Sequence, residues 1–209
     1  MIVSMESLIE LFCDWYGINI PILRNVQTIN DLRFSELWTT KWFAKKEQQK
    51  KMDAYLKKYE HLFELSIDDF QDVPAPYNRI IQISFMILWD QVSRNIYRNT
   101  AKAYATDTKA RQLVVEIMKH WSSLPFAVKV SCILVYIHSE DIADLSITEM
   151  LLKDLHEVKN FPSVKGSLFG IARNHSERMK CFGRIPERNA FLKRESTPQE
   201  IVYMTAVLY

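Results

Sequence analysis

The stretch Ile80-Ile81-Gln82-Ile83-Ser84-Phe85-Met86-Ile87-Leu88-Trp89-Asp90-Gln91-Val92-Ser93-Arg94-Asn95-Ile96-Tyr97-Arg98 starts almost wholly apolar and ends in a cluster of polar and charged groups. It reads as one buried helix over residues 77–97. A helix that is apolar on all sides has to be covered on all sides. At about 100° per residue, Asp90, Gln91, Arg94, Asn95 and Arg98 fall within an arc of about 140°. Burying so many polar groups is costly unless they bond one another, water or a ligand. The helix therefore anchors a structural polar network or lines a binding site.

Composition sets the fold class around this helix. The chain has 209 residues, 48% hydrophobic and 12% aromatic, which is ample for a real core. Four Gly and seven Pro are too few for the many turns of an all-β fold. A net charge of +2 gives no field that by itself implies nucleic acid. Cys13, Cys132 and Cys181 are odd in number and lack metal-ligand spacing, so they read as reduced thiols. The N-terminus lacks a basic leader region, and Glu6 and Glu10 follow it, so no signal peptide is expected. Ile80–Trp89 and Val130–Ile137 fall short of the roughly 20 residues that span a bilayer. A soluble, cytoplasmic protein with no membrane partner is expected.

Outward from the central helix, apolar periodicity predicts further helices. Residues 5–16 form a first one, with Gly17 as its stop. Phe34, Leu37, Trp38 and Trp42 mark a short helix, and residues 44–64 a long amphipathic one. The lysines from Lys45 to Lys58 lie mostly on the far side of that helix and read as a solvated face; RNA binding there is the weaker reading. Residues 107–121 follow, with Asp107 expected as N-cap. Helix 125–138 is again apolar nearly all round and ends in His138-Ser139-Glu140-Asp141. Helices at 147–159 and 165–181 come next, with Gly183 and Pro186 as stop signals. Thr197-Pro198-Gln199-Glu200 is a capping box that opens a last helix. The expectation is an all-α fold, one domain over residues 1–209, with eight or nine helices in antiparallel pairs and no strand.

Two buried helices thus turn polar at their C-terminal ends. If they share that end, Asp90, Arg94, Arg98, His138, Glu140 and Asp141 meet. Asp90 and Arg94 are spaced to pair across one turn. His138 follows a core run and is the candidate catalyst. His138 and His175 could in principle share a metal, yet no HExxH or HxxEH spacing supports it, so no metal and no cofactor is expected. No glycine-rich phosphate loop and no GxSxG nucleophile elbow occurs. Cys132, inside an apolar run, should be inert. Phe182-Gly183-Arg184-Ile185-Pro186-Glu187-Arg188-Asn189 sets two arginines on a rigid turn that suits a carboxylate or phosphate. The alternative is that Arg184 and Arg188 pair with Asp90, Glu140 or Asp141.

These segments resemble a mostly bacterial family, domain of unknown function 924. The matching stretches are Trp42-Phe43, Trp89 to Arg98 with Thr100 to Asp107, His138 to Asp141, Phe182 to Asn189, and Arg194 to Glu200. The family pattern there is like LDQFPRNIFRGTARAFATD, PLEHSED, FGRFPHRN and RESTPEE. The resemblance covers nearly the whole chain and implies tetratricopeptide-like helix pairs, without implying an activity. Ser93 replaces the family's Pro, Val135 and Ile137 stand for Pro and Glu, and Glu187 stands for His.

Three readings follow. The first is a helical binding module: Arg94, Arg98, Arg184 and Arg188 bind a small anion, a phosphorylated ligand or an acidic peptide terminus. In it Gln91 and Asn95 orient the ligand, Asn189 joins the arginines of its turn in the fork that receives it, and Asp90 and Glu140 hold the arginines. The second is a protein-interaction scaffold whose polar network is purely structural. The third is a hydrolase or transferase with His138 as general acid or base. The third requires His138 to face a pocket that also holds Arg94 or Arg188.

Overall fold

The computed structural model describes residues 2–43 and 46–207, so Met1, Ala44, Lys45, Leu208 and Tyr209, and with them the expected start of the helix at 44, lie outside the described residues. Nine helices make up the fold among them, and no strand occurs. They are α1 (Ile2–Tyr16), α2 (Asp31–Leu37, running on as a π-turn, Trp38–Trp42) and α3 (Lys46–Leu56, tightening into a 3₁₀ segment, Lys57–Glu64). Helix α4 runs Tyr77–Ile87, passes through a π-turn at Leu88–Val92 and ends with Ser93–Ile96. Then come α5 (Asp107–Met118), α6 (Phe126–His138), α7 (Asp144–His156), α8 (Pro162–Phe182) and α9 (Pro198–Val207). No helix among the described residues is long and apolar enough to cross a membrane.

Helices α4 and α6 form the centre. Ile80, Ile83, Phe85 and Ile87 on α4 and Val128, Val130, Cys132 and Ile133 on α6 are fully buried, as their all-round apolar sequences require. Helix α1 packs chiefly on α4, distant in sequence, where Ser84 Oγ donates to the Leu8 and Ile80 carbonyls, both at 2.8 Å. Helix α5 covers another side of α4, and α5, α7 and α8 enclose α6. Burial pushes the Cys132 thiol up to about 12, which fits an inert core cysteine.

Several local signals act as sequence logic expects. Gly17 takes φ +70° after α1, and Gly183 takes φ +67° after α8, its N–H donating to the Met179 carbonyl. Thr197 Oγ1 and Glu200 Oε2 exchange hydrogen bonds with each other's backbone N–H at the start of α9. Asp107 departs from expectation: it is the first helical residue of α5 and its carboxylate goes to Arg94. The lysine face is exposed at Lys50, Lys51, Lys57 and Lys58, and Lys58 pairs with Glu10 and Asp14.

The N-terminus of α6 has Pro at its cap and no capping side chain of its own. Asp31, at the start of α2, supplies one from across the chain: its carboxylate accepts from the N–H of Phe126 at 3.1 Å and of Ala127 at 2.9 Å. Losing such a cap costs about 1 kcal/mol. Asp31→Ala should lower the unfolding free energy by roughly that amount in denaturant titrations; an unchanged midpoint would mean that α6 does not depend on this bond.

Candidate functional site

The π-turn of α4 determines the site. A π-turn widens the helix by one residue and leaves backbone groups to find other partners. The Trp89 carbonyl is such a group: it accepts from Ser93 Oγ at 2.8 Å and from Thr106 Oγ1 at 2.6 Å. Ser93 also keeps its own N–H on the Leu88 carbonyl, a bond that a proline there would lack. The extra residue re-phases the polar arc, so its five members do not all face one way.

Asp90 faces inward and is 1% exposed. Its carboxylate accepts from His138 Nδ1 at 2.9 Å and 3.0 Å and from Gln91 Nε2, and it faces Arg94 Nη2 at 3.3 Å. Burial opposes ionisation, but Arg94 and the hydrogen bonds from His138 and Gln91 hold the Asp90 carboxyl well below the usual carboxylate range. With Asp90 ionised, Nδ1 of His138 carries the ring proton, and Nε2 has no hydrogen-bond partner among the described residues. Burial, with Arg94 and Arg188 nearby, outweighs Asp90 and keeps His138 below its ordinary value, so the ring is neutral at pH 7. This is a carboxylate–imidazole dyad with a free basic nitrogen.

His138 lines an open cleft of about 320 Å³ together with Arg94, Tyr104, His175, Arg178 and Arg188. Arg94 is paired with Asp107 at 2.9 Å and donates to the Ala103 carbonyl at 2.9 Å, while its buried Nε makes no hydrogen bond. Arg178 is held by Glu187 at 2.6 Å. Arg188 differs from both. Its side chain is 8% exposed, its guanidinium makes no hydrogen bond among the described residues, and its nearest carboxylates stand off at 3.9 Å (Glu140) and 4.0 Å (Asp107). It lies over the Tyr104 ring, 4.8 Å from the centroid, and Arg94 lies over the same ring at 5.3 Å. Burial and the neighbouring Arg94 both work against its charge. Glu140 is spent elsewhere, on Arg194 at 2.6 Å and the Ile185 N–H at 2.8 Å.

The other expected site residues are placed outside the cleft or on its rim. Arg98 is at the rim, about half exposed, and bidentate to Asp53 at 2.9 Å and 2.8 Å. Asn95 donates to the Gln91 carbonyl at 2.8 Å, and Gln91 stays on Asp90. Arg184 and Asn189 turn away: Arg184 grips Glu200 at 2.6 Å and 2.8 Å, and Asn189 donates to Ser196 at 3.0 Å and to Glu200 at 3.2 Å. They dock the C-terminal helix. Asp141 borders an adjoining cavity with Arg111 and Arg188, and Arg111 pairs chiefly with Asp144. Sequence reasoning passed over Tyr104 and Arg178, which sit in ordinary helical contexts, and gave His175 only a metal role.

His175 is 5.7 Å from His138, ring to ring, and its Nδ1 is buried without a hydrogen bond. No group of three or more His, Cys, Asp or Glu side chains gathers to hold a metal among the described residues. Burial and the neighbouring His138, Arg188, Arg178 and Arg94 push His175 down to about 3.

The model of a family described as bacterial proteins of unknown function (DUF924) matches residues 29–207. A solved structure of a protein of unknown function from Agrobacterium tumefaciens is similar at 24% identity, with 96% of this chain and 98% of that chain covered and a TM-score of 0.66. At that identity the likeness carries the fold alone. No curated protein matches this chain.

Both imidazoles are held below the ordinary histidine value of 6.5. The unfolded chain therefore takes up more protons than the folded one once the pH drops under that value. Stability should fall as pH is lowered from about 6.5 toward about 3. His175→Phe should flatten that fall. Denaturant titrations of both proteins at pH 8 and pH 5 measure it, and equal losses in the two would contradict the assignment to His175.

Proposed function

The chain belongs to the bacterial family DUF924, and from that premise we propose that its polar cleft binds the anionic group, phosphate or carboxylate, of a small ligand. The observation that supports this best is the state of Arg188. A guanidinium taken out of water without a hydrogen-bonded partner is costly. Its five donors favour a planar or tetrahedral anion held by two bonds at once. The cleft opens beside it, and the other wall cations, Arg94 and Arg178, add positive potential although each is already paired with a carboxylate. An anion arriving there satisfies Arg188 and meets Nε2 of His138. The opening of the cleft, and a guanidinium left without a close partner, weigh against a polar network that serves structure alone.

The test is a thermal-shift titration with inorganic phosphate and with acetate. At a hundredfold excess over Kd, a ligand bound only by the folded state adds about 2.7 kcal/mol of stability. We expect a saturable rise in melting temperature in the wild type and none in Arg188→Met, with both proteins folded. An equal rise in the two, or none in the wild type, would overturn the reading.

A second reading rests on the Asp90–His138 dyad. Its basic nitrogen lies where a bound phosphoryl or acyl group would meet it, the arrangement of general acid–base catalysis in a hydrolase or transferase. In that case His138→Gln lowers turnover of a phosphorylated substrate by about 10²–10⁴-fold while anion-induced stabilisation persists. Turnover that survives the substitution would remove His138 from the chemistry.

A further inference from the structure

On another side of the cleft from the cavity that Asp141 borders lies a further cavity of about 360 Å³, of different character. It is a groove between α7 and α8, floored by Ile137, Leu145, Leu152, Phe169 and Ala172. Lys153 and Arg173, both exposed, stand on its rim. The two cavities meet at two places in the chain. Ile137 lines the groove and the next residue, His138, lines the cleft; His175 lines both. Each space alone is at the small end for a ligand site. An anion-sized cleft sharing a wall with an apolar groove is the shape of a site for one molecule with two unlike ends.

We propose that the ligand bound through Arg188 carries an apolar arm and that this arm lies in the α7–α8 groove, passing His175. The ligand class is a small amphipathic anion, an alkyl or aryl phosphate or carboxylate. The inference rests on the anion-binding reading of the cleft. His175 fits the seam between the two ends. Its ring is neutral at physiological pH, so it offers the arm an uncharged face, and its Nδ1 is buried without a hydrogen bond. The groove is lined by three cations, Lys153, Arg173 and Lys180, against one carboxylate, Glu149, which pairs with Lys180 at 3.5 Å, and that balance favours a ligand of negative charge. Burial of alkyl carbons is the driving force the groove would add.

The experiment is a calorimetric titration of the full chain with inorganic phosphate, then with ethyl, butyl, hexyl and octyl phosphate, and with acetate, butyrate and octanoate as the carboxylate arm. Octanol serves as the arm without a head. Affinity should rise about three- to fourfold for each methylene buried until the groove is filled. Ser176→Trp, placed to fill the groove, should abolish that rise and leave affinity for inorganic phosphate unchanged; Leu145→Lys serves if the first variant does not fold. Arg188→Met should weaken every anion. If phosphate and octyl phosphate bind equally well, the arm is wrong and the head stands. If neither series binds, the anion reading fails and the inference falls with it. If octanol binds as tightly as octyl phosphate, the groove acts alone and the proposed link is overturned.

Discussion

A buried carboxylate is the constraint on which the rest depends. Asp90 lies at the junction of the α4 π-turn and the C-terminus of α6, and an ion there is tolerated only when closely paired. Three partners meet it: His138, Arg94 and Gln91. Through Arg94 the pairing extends to Asp107 and fixes the start of α5. Through His138 it orients an imidazole whose other nitrogen is left unbonded. One charge thus locks three helices together and aims a base. The same low-dielectric setting makes the neighbouring Arg188, which lacks a close partner, the place where a ligand has most to gain.

The charges sort into two kinds. Arg94, Arg98, Arg178, Arg184 and Arg194 are each hydrogen-bonded to a carboxylate and hold elements together. Arg188 stands apart, flanked by two carboxylates at nearly 4 Å and backed by Tyr104. That distinction, and not the number of arginines, separates scaffold from site. It also gives the short turn before α9 a purpose: Glu200 fastens Arg184 and Asn189, and the turn so fixed presents Arg188 to the cleft.

Much of the fold was legible in the sequence because its signals are local and repeat. Apolar runs on α4 and α6, glycine at positive φ after α1 and α8, and the Thr197–Glu200 box each mark an element within a few residues. The convergence of Asp90 with His138 was legible as well, since both follow a core run at a helix end. The choice among arginines was not, because it depends on which carboxylate each one meets across the fold. Glu200 takes Arg184 and Asp53 takes Arg98, partners 16 and 45 residues away. The π-turn escaped a reading at 100° per residue, and it re-phases the arc so that Arg98 lies at the rim while Asn95 bonds back to the Gln91 carbonyl. Tyr104, Arg178 and the cleft-facing role of His175 escaped because no spacing ties them to the Asp90 helix; a buried ring nitrogen without a partner is visible only in three dimensions.

The measurement that tests the central claim most directly is a crystal structure of the protein grown with tungstate, a heavy, strongly scattering analogue of phosphate. Tungstate density within hydrogen-bonding distance of the Arg188 guanidinium, with an oxygen turned toward Nε2 of His138, is the predicted result. An empty cleft in crystals that hold tungstate elsewhere, or Arg188 swung over to close the distance to Glu140 and Asp107, would contradict it.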